Sequence, residues 1–249
     1  MRISLRWYMV GCILFFVVSC QAKVEPIPTE AKPYILSLPN LFSQLTASQS
    51  EIRDVKAFVR TKITSGYLNQ TFNQALCIKG NEAIRVDTYN LFRQIIGVLI
   101  HDNGKTLMYD PRENRVIHGE EVWANMHRFM GNIFDIRKYI RVFSGGIPRL
   151  SHLQPKVSRW NTDQTVYQVE AVDGGTGERV NIEIDGYTQL PKSLFLLRGT
   201  EEIYSIYWDD YRKVSQWDFA HRIVFDLKFK DQVVTVKYSD ISINQGLAP

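Results

Sequence analysis

The apolar positions of this chain fall into regimes of different period. Residues 7–18 form one unbroken run of apolar or small side chains behind Arg2 and Arg6. Residues 21–33 are polar and hold Pro26, Pro28 and Pro33, the composition of a semi-extended linker. Between residues 39 and 50, Leu41, Phe42 and Leu45 recur at helical spacing and predict a short helix. From residue 52 the period drops to two. Val55, Ala57, Val59, Thr61 and Ile63 alternate with Lys56, Phe58, Arg60 and Lys62, as on a half-buried strand. Similar strands are predicted over 72–78, 83–89, 94–101, 106–110 and 115–118. The helical period returns at 119–130 with Val122, Met126, Phe129 and Met130, and again at 133–143 with Ile136, Tyr139, Ile140 and Phe143. Ser144-Gly145-Gly146-Ile147-Pro148 stops the second helix, and the stretch up to residue 164 reads as a linker. Strands follow at 165–172, 179–185, 192–198, 203–211, 221–230 and 233–243.

The turns settle how these strands are joined. Asn103-Gly104 supplies positive φ at low cost and marks a hairpin. Asp173-Gly174-Gly175-Thr176-Gly177 has the glycines of a phosphate loop but no lysine, and it joins two alternating segments, so it is a hairpin turn too. Hairpins throughout, with no βαβ spacing, exclude a parallel sheet. A sheet of ten or eleven strands must curl or split. The fold class expected is therefore mainly β (α+β): an open antiparallel β-barrel of about 10–11 strands. An N-terminal helix and a two-helix insertion would cover an apolar cavity. Val122, Met126, Phe129 and Met130 on one helix, with Ile136 and Ile140 on the next, are its expected lining, methionine being an adaptable liner of apolar sites.

Composition narrows the class of partner. With 249 residues, 45% hydrophobic and 22% charged, the chain is neither disordered, collagen-like nor a disulfide scaffold. A net charge of +4 from 30 basic and 26 acidic residues is too thin for a nucleic-acid partner, and none is expected. The apolar run at 7–18 is shorter than the roughly 20 residues a membrane-spanning helix needs, and behind two arginines it reads as a secretory signal. Val17-Val18-Ser19-Cys20 is similar to the lipobox of bacterial lipoproteins. That resemblance implies removal of residues 1–19, lipidation of Cys20, a tether over 20–37 and a folded domain over 38–249. Removal takes away Arg2 and Arg6 and no acid, so the charge falls from +4 to +2. By resemblance to enteric sorting rules, Gln21 lacks the Asp that retains a lipoprotein at the inner membrane. The expected location is the outer membrane, periplasmic face. Cys12 leaves with the signal and Cys20 carries lipid, so Cys77 has no disulfide partner and is expected as a small core hydrophobe.

Catalytic patterns are absent from the sequence. His101, His118, His127, His152 and His221 show no HExxH spacing, Cys77 has no companion for zinc, and no serine has a nucleophile-elbow context. Asp209-Asp210 reads as a solvated pair at a strand end. No enzyme activity, cofactor or metal is expected. The chain is instead rich in aromatic side chains, 12%, which suits a filled core and an apolar site.

Several segments together resemble a known family. They are Ala83-Ile84-Arg85-Val86-Asp87 leading to the 89–92 turn, the 97–109 hairpin around Asp102-Asn103-Gly104, the helix pair ending in Gly145-Gly146-Ile147-Pro148, Tyr207-Trp208-Asp209-Asp210-Tyr211 before Arg222-Ile223, and Tyr238-Ser239-Asp240-Ile241-Ser242-Ile243-Asn244. Their order is similar to the LolA/LolB superfamily of periplasmic lipoprotein carriers and outer-membrane lipoprotein receptors, over about residues 38–246. The resemblance implies a monomer that binds lipid or lipoprotein acyl chains, with the membrane and a periplasmic carrier protein as partners. It also implies that Leu91 and Phe92, in the turn 90–93, enter the membrane; the alternative is that both tuck under a helix. A second reading on the same fold is a periplasmic sensor or scaffold lipoprotein that binds an envelope protein and transports nothing.

Overall fold

The N-terminal helix, α1 (Leu38–Glu51), starts with Pro39 in its first turn, where a missing N–H costs nothing, and buries Leu41 and Leu45 one turn apart. Thr46, Ser48 and Ser50 donate back to the carbonyls of Phe42, Leu45 and Ala47 (2.8, 3.1 and 2.7 Å). Such back-bonding weakens a helix, so α1 depends on its packing. Its last carbonyls are capped from distant parts of the chain: Asn244 Nδ2 donates to Glu51 O (2.7 Å), and Arg141 Nη1 donates to Ile52 O (3.0 Å). The structure is a computed structural model and describes residues 36–124 and 136–247. Cys20, Met126, Phe129 and Met130 lie outside the described residues.

Thirteen strands make one antiparallel sheet. They are β1 (Asp54–Ser65), β2 (Asn69–Lys79), β3 (Ala83–Tyr89), β4 (Ile95–Asp102), β5 (Lys105–Asp110), β6 (Arg115–His118), β7 (Leu153–Trp160), β8 (Val166–Asp173), β9 (Arg179–Asp185), β10 (Pro191–Arg198), β11 (Glu201–Val214), β12 (Trp217–Leu227) and β13 (Gln232–Ile243). Their spatial order is β6-β5-β4-β3-β2-β1-β13-β12-β11-β10-β9-β8-β7. The first and last strands thus pair in the middle of the sheet, from Val55–Ile243 to Ser65–Gln232. The two edges, β6 and β7, are consecutive in sequence and unpaired with each other, so the barrel is open there. Between them the chain is helical at 120–124 (α2) and over α3 (Ile136–Phe143).

The strand count exceeds the ten or eleven expected, and β7 lies within the stretch that reads as a linker. As an edge strand it has one partner, its register slips between Pro155 and Val157, and Lys156, Val157 and Arg159 are exposed. Proline and a broken register are ordinary features of protected edges, and they erase the alternation that marks a strand. Two other expectations are corrected. Asp209-Asp210 sits inside β11: Asp209 faces Arg222 and Tyr211 faces Ala220 with no slip of register between them, and Asp210 holds φ +54°. Cys77 is half-buried rather than core, on the face opposite Leu76 and Ile78 and paired in register with Lys56 and Arg85; partial burial pushes its thiol up.

The core lies between α1, the insertion and the inner face of the sheet. α3 buries Ile136, Tyr139, Ile140 and Val142. The Tyr139 ring meets Tyr204 and Phe225 edge-on, at 5.6 and 6.4 Å between centroids. Tyr238 Oη, on β13, donates to Phe143 O (3.0 Å) and anchors the end of α3 to the middle of the sheet.

Candidate functional site

Strand register lays out the inner face of β1–β6 as rows. The first row, Val55, Ile78, Ile84, His101 and Thr106, is buried throughout, and His101 Nδ1 and Thr106 Oγ1 share a hydrogen bond (2.7 Å). The second row runs Ala57, Leu76, Val86, Leu99, Met108, Ile117; it is buried at the first two positions and half-buried from Val86 onward. In the third row Val59 is buried, whereas Gln74, Thr88 and Gly97 are half-buried. Cover therefore thins toward the β6 edge and toward the far end of the strands. Nothing lies within 4 Å of the place a Cβ on Gly97 would occupy.

One polar chain crosses this apolar surface. Thr61 Oγ1 donates to Gln74 Oε1 (2.7 Å), and Gln74 Nε2 donates to Thr88 Oγ1 (3.1 Å). The amide is satisfied inside the protein, so the face can stay dry without a stranded polar group. The result is an apolar shelf formed by Val86, Leu99, Met108 and Ile117, bounded by hydrogen-bonded side chains and open above Gly97.

The insertion residues expected as lining separate into two groups. Val122, Ile136 and Ile140 are 0, 5 and 1% exposed and pack into the same core as the sheet; Met126, Phe129 and Met130 fall outside the described residues. Where α3 meets β10 and β11 the interior is filled, apart from a void of about 30 Å³ beside Tyr139, Leu194, Leu196 and Tyr204.

Leu91, Tyr67 and Phe92 are the most exposed large hydrophobic residues described, Leu91 and Phe92 at 91 and 83%. Leu91 and Phe92 form the tip of the β3–β4 hairpin. Asn90 shapes that tip without proline or glycine: its Oδ1 accepts from the N–H groups of Phe92 and Gln94 (2.9 and 3.0 Å), and Arg93 takes the left-handed conformation, φ +61°. Neither side chain tucks under a helix. Ser65 faces Gln232 and Thr64 faces Asn69, so the β1–β2 and β12–β13 turns lie at this same end of the strands. Those turns present Tyr67, 87% exposed, and Phe229, 40% exposed. Phe229 belongs to a 3-10 turn, Lys228–Lys230, instead of extending β12, which takes it out of the inner series that includes Phe225 and Leu227. Tyr67 and Gly97 escape sequence reasoning, although a glycine inside a strand is a recognised sign of open or close approach.

No protein-family model and no curated protein matches the sequence. Three solved structures resemble the fold: an outer membrane lipoprotein-sorting protein domain from Vibrio parahaemolyticus (14% identity, TM-score 0.62, covering 84% of this chain and 93% of that one); a DUF1329 family protein from Desulfovibrio piger (12%, TM-score 0.65, 84% and 92%); and a LolA superfamily protein from Nitrosomonas europaea (9%, TM-score 0.61, 86% and 96%). The chain has a LolA-like fold.

Proposed function

We propose that this protein is a lipoprotein, acylated at Cys20 and held on the periplasmic face of the outer membrane. On this reading it binds the acyl chains of lipids or lipoproteins during their localisation. The observation that carries the reading is the exposure of Leu91 and Phe92 at a hairpin tip next to a half-covered apolar shelf. Two large apolar side chains held in water at one point are costly unless something apolar receives them. Tyr67 and Phe229 at the same end widen the contact, and Arg93 beside the tip suits a headgroup region. Thr88, Gly97 and Val86, on the strands that carry the tip, lead directly from it onto the shelf. An acyl chain leaving the bilayer beside Phe92 would meet Gly97 first and then Leu99 and Met108. No step of this role needs a catalytic group or a metal.

The test is binding of a fluorescent or spin-labelled fatty acyl probe to the chain lacking residues 1–20. Saturable binding that is displaced by unlabelled fatty acid supports the reading. A protein that remains refractory to every acyl probe while correctly folded overturns it.

A further inference from the structure

A groove of about 370 Å³ runs between α1, α3, the β2–β3 turn and residues 147–152. Its walls carry Arg137, Lys138, Arg141, Arg149 and His152 against one carboxylate, Glu82. Two of the arginines are engaged: Arg149 is paired with Asp173, and Arg137 lies over the Trp123 ring, 4.4 Å from its centroid. Arg141 is different. It is half-buried, makes one hydrogen bond, from Nη1 to Ile52 O, and has no carboxylate partner among the described residues. Burial alone pulls its guanidinium below the usual arginine range.

Gln49 stands beside it. Its Nε2 is buried and has no hydrogen-bond partner. Both side chains rest on Gly146, where a Cβ would come within 2.8 Å of Arg141 Cγ and 3.0 Å of Gln49 Cδ. The glycine is what lets the amide and the guanidinium lie side by side. A buried donor without an acceptor is destabilising, and so is a desolvated cation without a counter-charge. A single anion in the groove relieves both. A guanidinium fork accommodates two oxygens; a tetrahedral anion has further oxygens, directed away from the fork, for the Gln49 amide and the Lys138 ammonium.

We propose that this groove is a phosphate-binding site, in which Arg141 and Gln49 hold the phosphate and Lys138 supplies attraction from the mouth. The phosphate is either free or part of a phospholipid headgroup. The site is separate from the inner-face shelf, so its failure and the failure of acyl binding are distinguishable.

The experiment uses the mature lipidated chain in non-ionic detergent, titrated calorimetrically with inorganic phosphate and, separately, with glycerophosphoglycerol, the water-soluble headgroup of phosphatidylglycerol. The variants are Arg141→Met, Gln49→Met and Lys138→Glu; the last is at an exposed position and keeps the fold intact. Saturable binding of either probe, weakened at least tenfold by Lys138→Glu and by Arg141→Met, supports the site, and the tighter probe identifies the source of the phosphate. Absence of saturable binding to both probes overturns it. So does an Arg141→Met protein that is less stable but binds phosphate as the parent does, since Arg141 would then serve only to cap α1.

Discussion

Arg149 and Asp173 are joined by two parallel hydrogen bonds, Nε to Oδ2 at 2.5 Å and Nη2 to Oδ1 at 2.9 Å. They tie the end of the helical insertion to the β8–β9 turn. Asp173 is 5% exposed and its Oδ1 also accepts from the N–H groups of Gly175 and Thr176 (2.8 and 3.2 Å). A Cβ on Gly175 would sit 2.8 Å from Arg149 Nη2, so that glycine makes room for the pair. Arg149 itself holds a left-handed conformation, φ +53°, a cost that the pair offsets.

The Arg149 guanidinium first, and then the backbone donors, hold the Asp173 carboxyl down at about 2, below its ordinary value of 3.8. A folded-state value below the unfolded one stabilises the protein above about pH 4, and the contribution is lost as pH falls through about 2. The difference corresponds to about 2 kcal/mol. Asp173→Asn is expected to lower stability by that order at pH 7 and to match the parent progressively as pH drops from 4 to 2. Urea unfolding at several pH values measures it; a deficit independent of pH would mean that packing, not charge, links the two elements.

Gly97 offers a way to block the shelf without touching the core. It is in a strand, not at positive φ, and nothing lies within 4 Å of its would-be Cβ. Gly97→Leu should leave the protein as stable as the parent or slightly more so, since glycine weakens a strand. The same leucine would occupy the space between Thr88 and Leu99. Affinity for acyl probes is expected to fall at least tenfold while the melting temperature is kept. Unchanged affinity would place the acyl chain elsewhere.

How much of this was legible in the sequence depended on the range of the interaction. α1 and the Asn103-Gly104 hairpin are local, and both lie where the pattern puts them, with φ of +47° and +75° at the two turn residues. β7 was hidden because an edge strand carrying Pro155 lacks the alternation that a two-sided strand shows. For Leu91 and Phe92 the sequence left exposure and burial equally open, because the answer depends on where the insertion lies relative to the β3–β4 turn. The polar row is a matter of register: Gln74 meets Thr61 and Thr88 only because three strands align, 13 and 14 residues apart. Arg141 reaching Ile52, 89 residues away, has no local signature at all.

Leu91 and Phe92 support the most direct test of membrane contact. Moving each into lipid is worth about 1.5–3 kcal/mol, so replacing both by Glu should weaken vesicle binding of the unlipidated chain by roughly 10²- to 10⁴-fold. Because both are exposed, folding stability should change by less than about 0.5 kcal/mol per site. Vesicle sedimentation beside thermal unfolding gives both numbers. Binding that persists in the double variant would remove the tip from any role at the membrane.

The path from anchor to tip sets a length requirement. Leu36 packs near Trp160, Ile184 and Gly186, at the end of the strands opposite Leu91 and Phe92. With Cys20 as the anchor, the sixteen residues up to Leu36 reach at most about 55 Å, at roughly 3.3–3.6 Å each. The twelve residues of β1 span about 40 Å at ~3.3 Å each. Under the proposed acylation of Cys20, sixteen extended residues would let the tip reach the bilayer that holds the lipid, with roughly 15 Å to spare. Deleting residues 24–31 cuts its reach to about 28 Å, shorter than β1. The shortened lipoprotein should still be anchored, yet a fluorophore on Leu91→Cys, in a Cys77→Ser background, should lose its quenching by brominated lipid in reconstituted vesicles. Equal quenching with both tethers would show that the tip reaches lipid by another route, for instance from a neighbouring membrane.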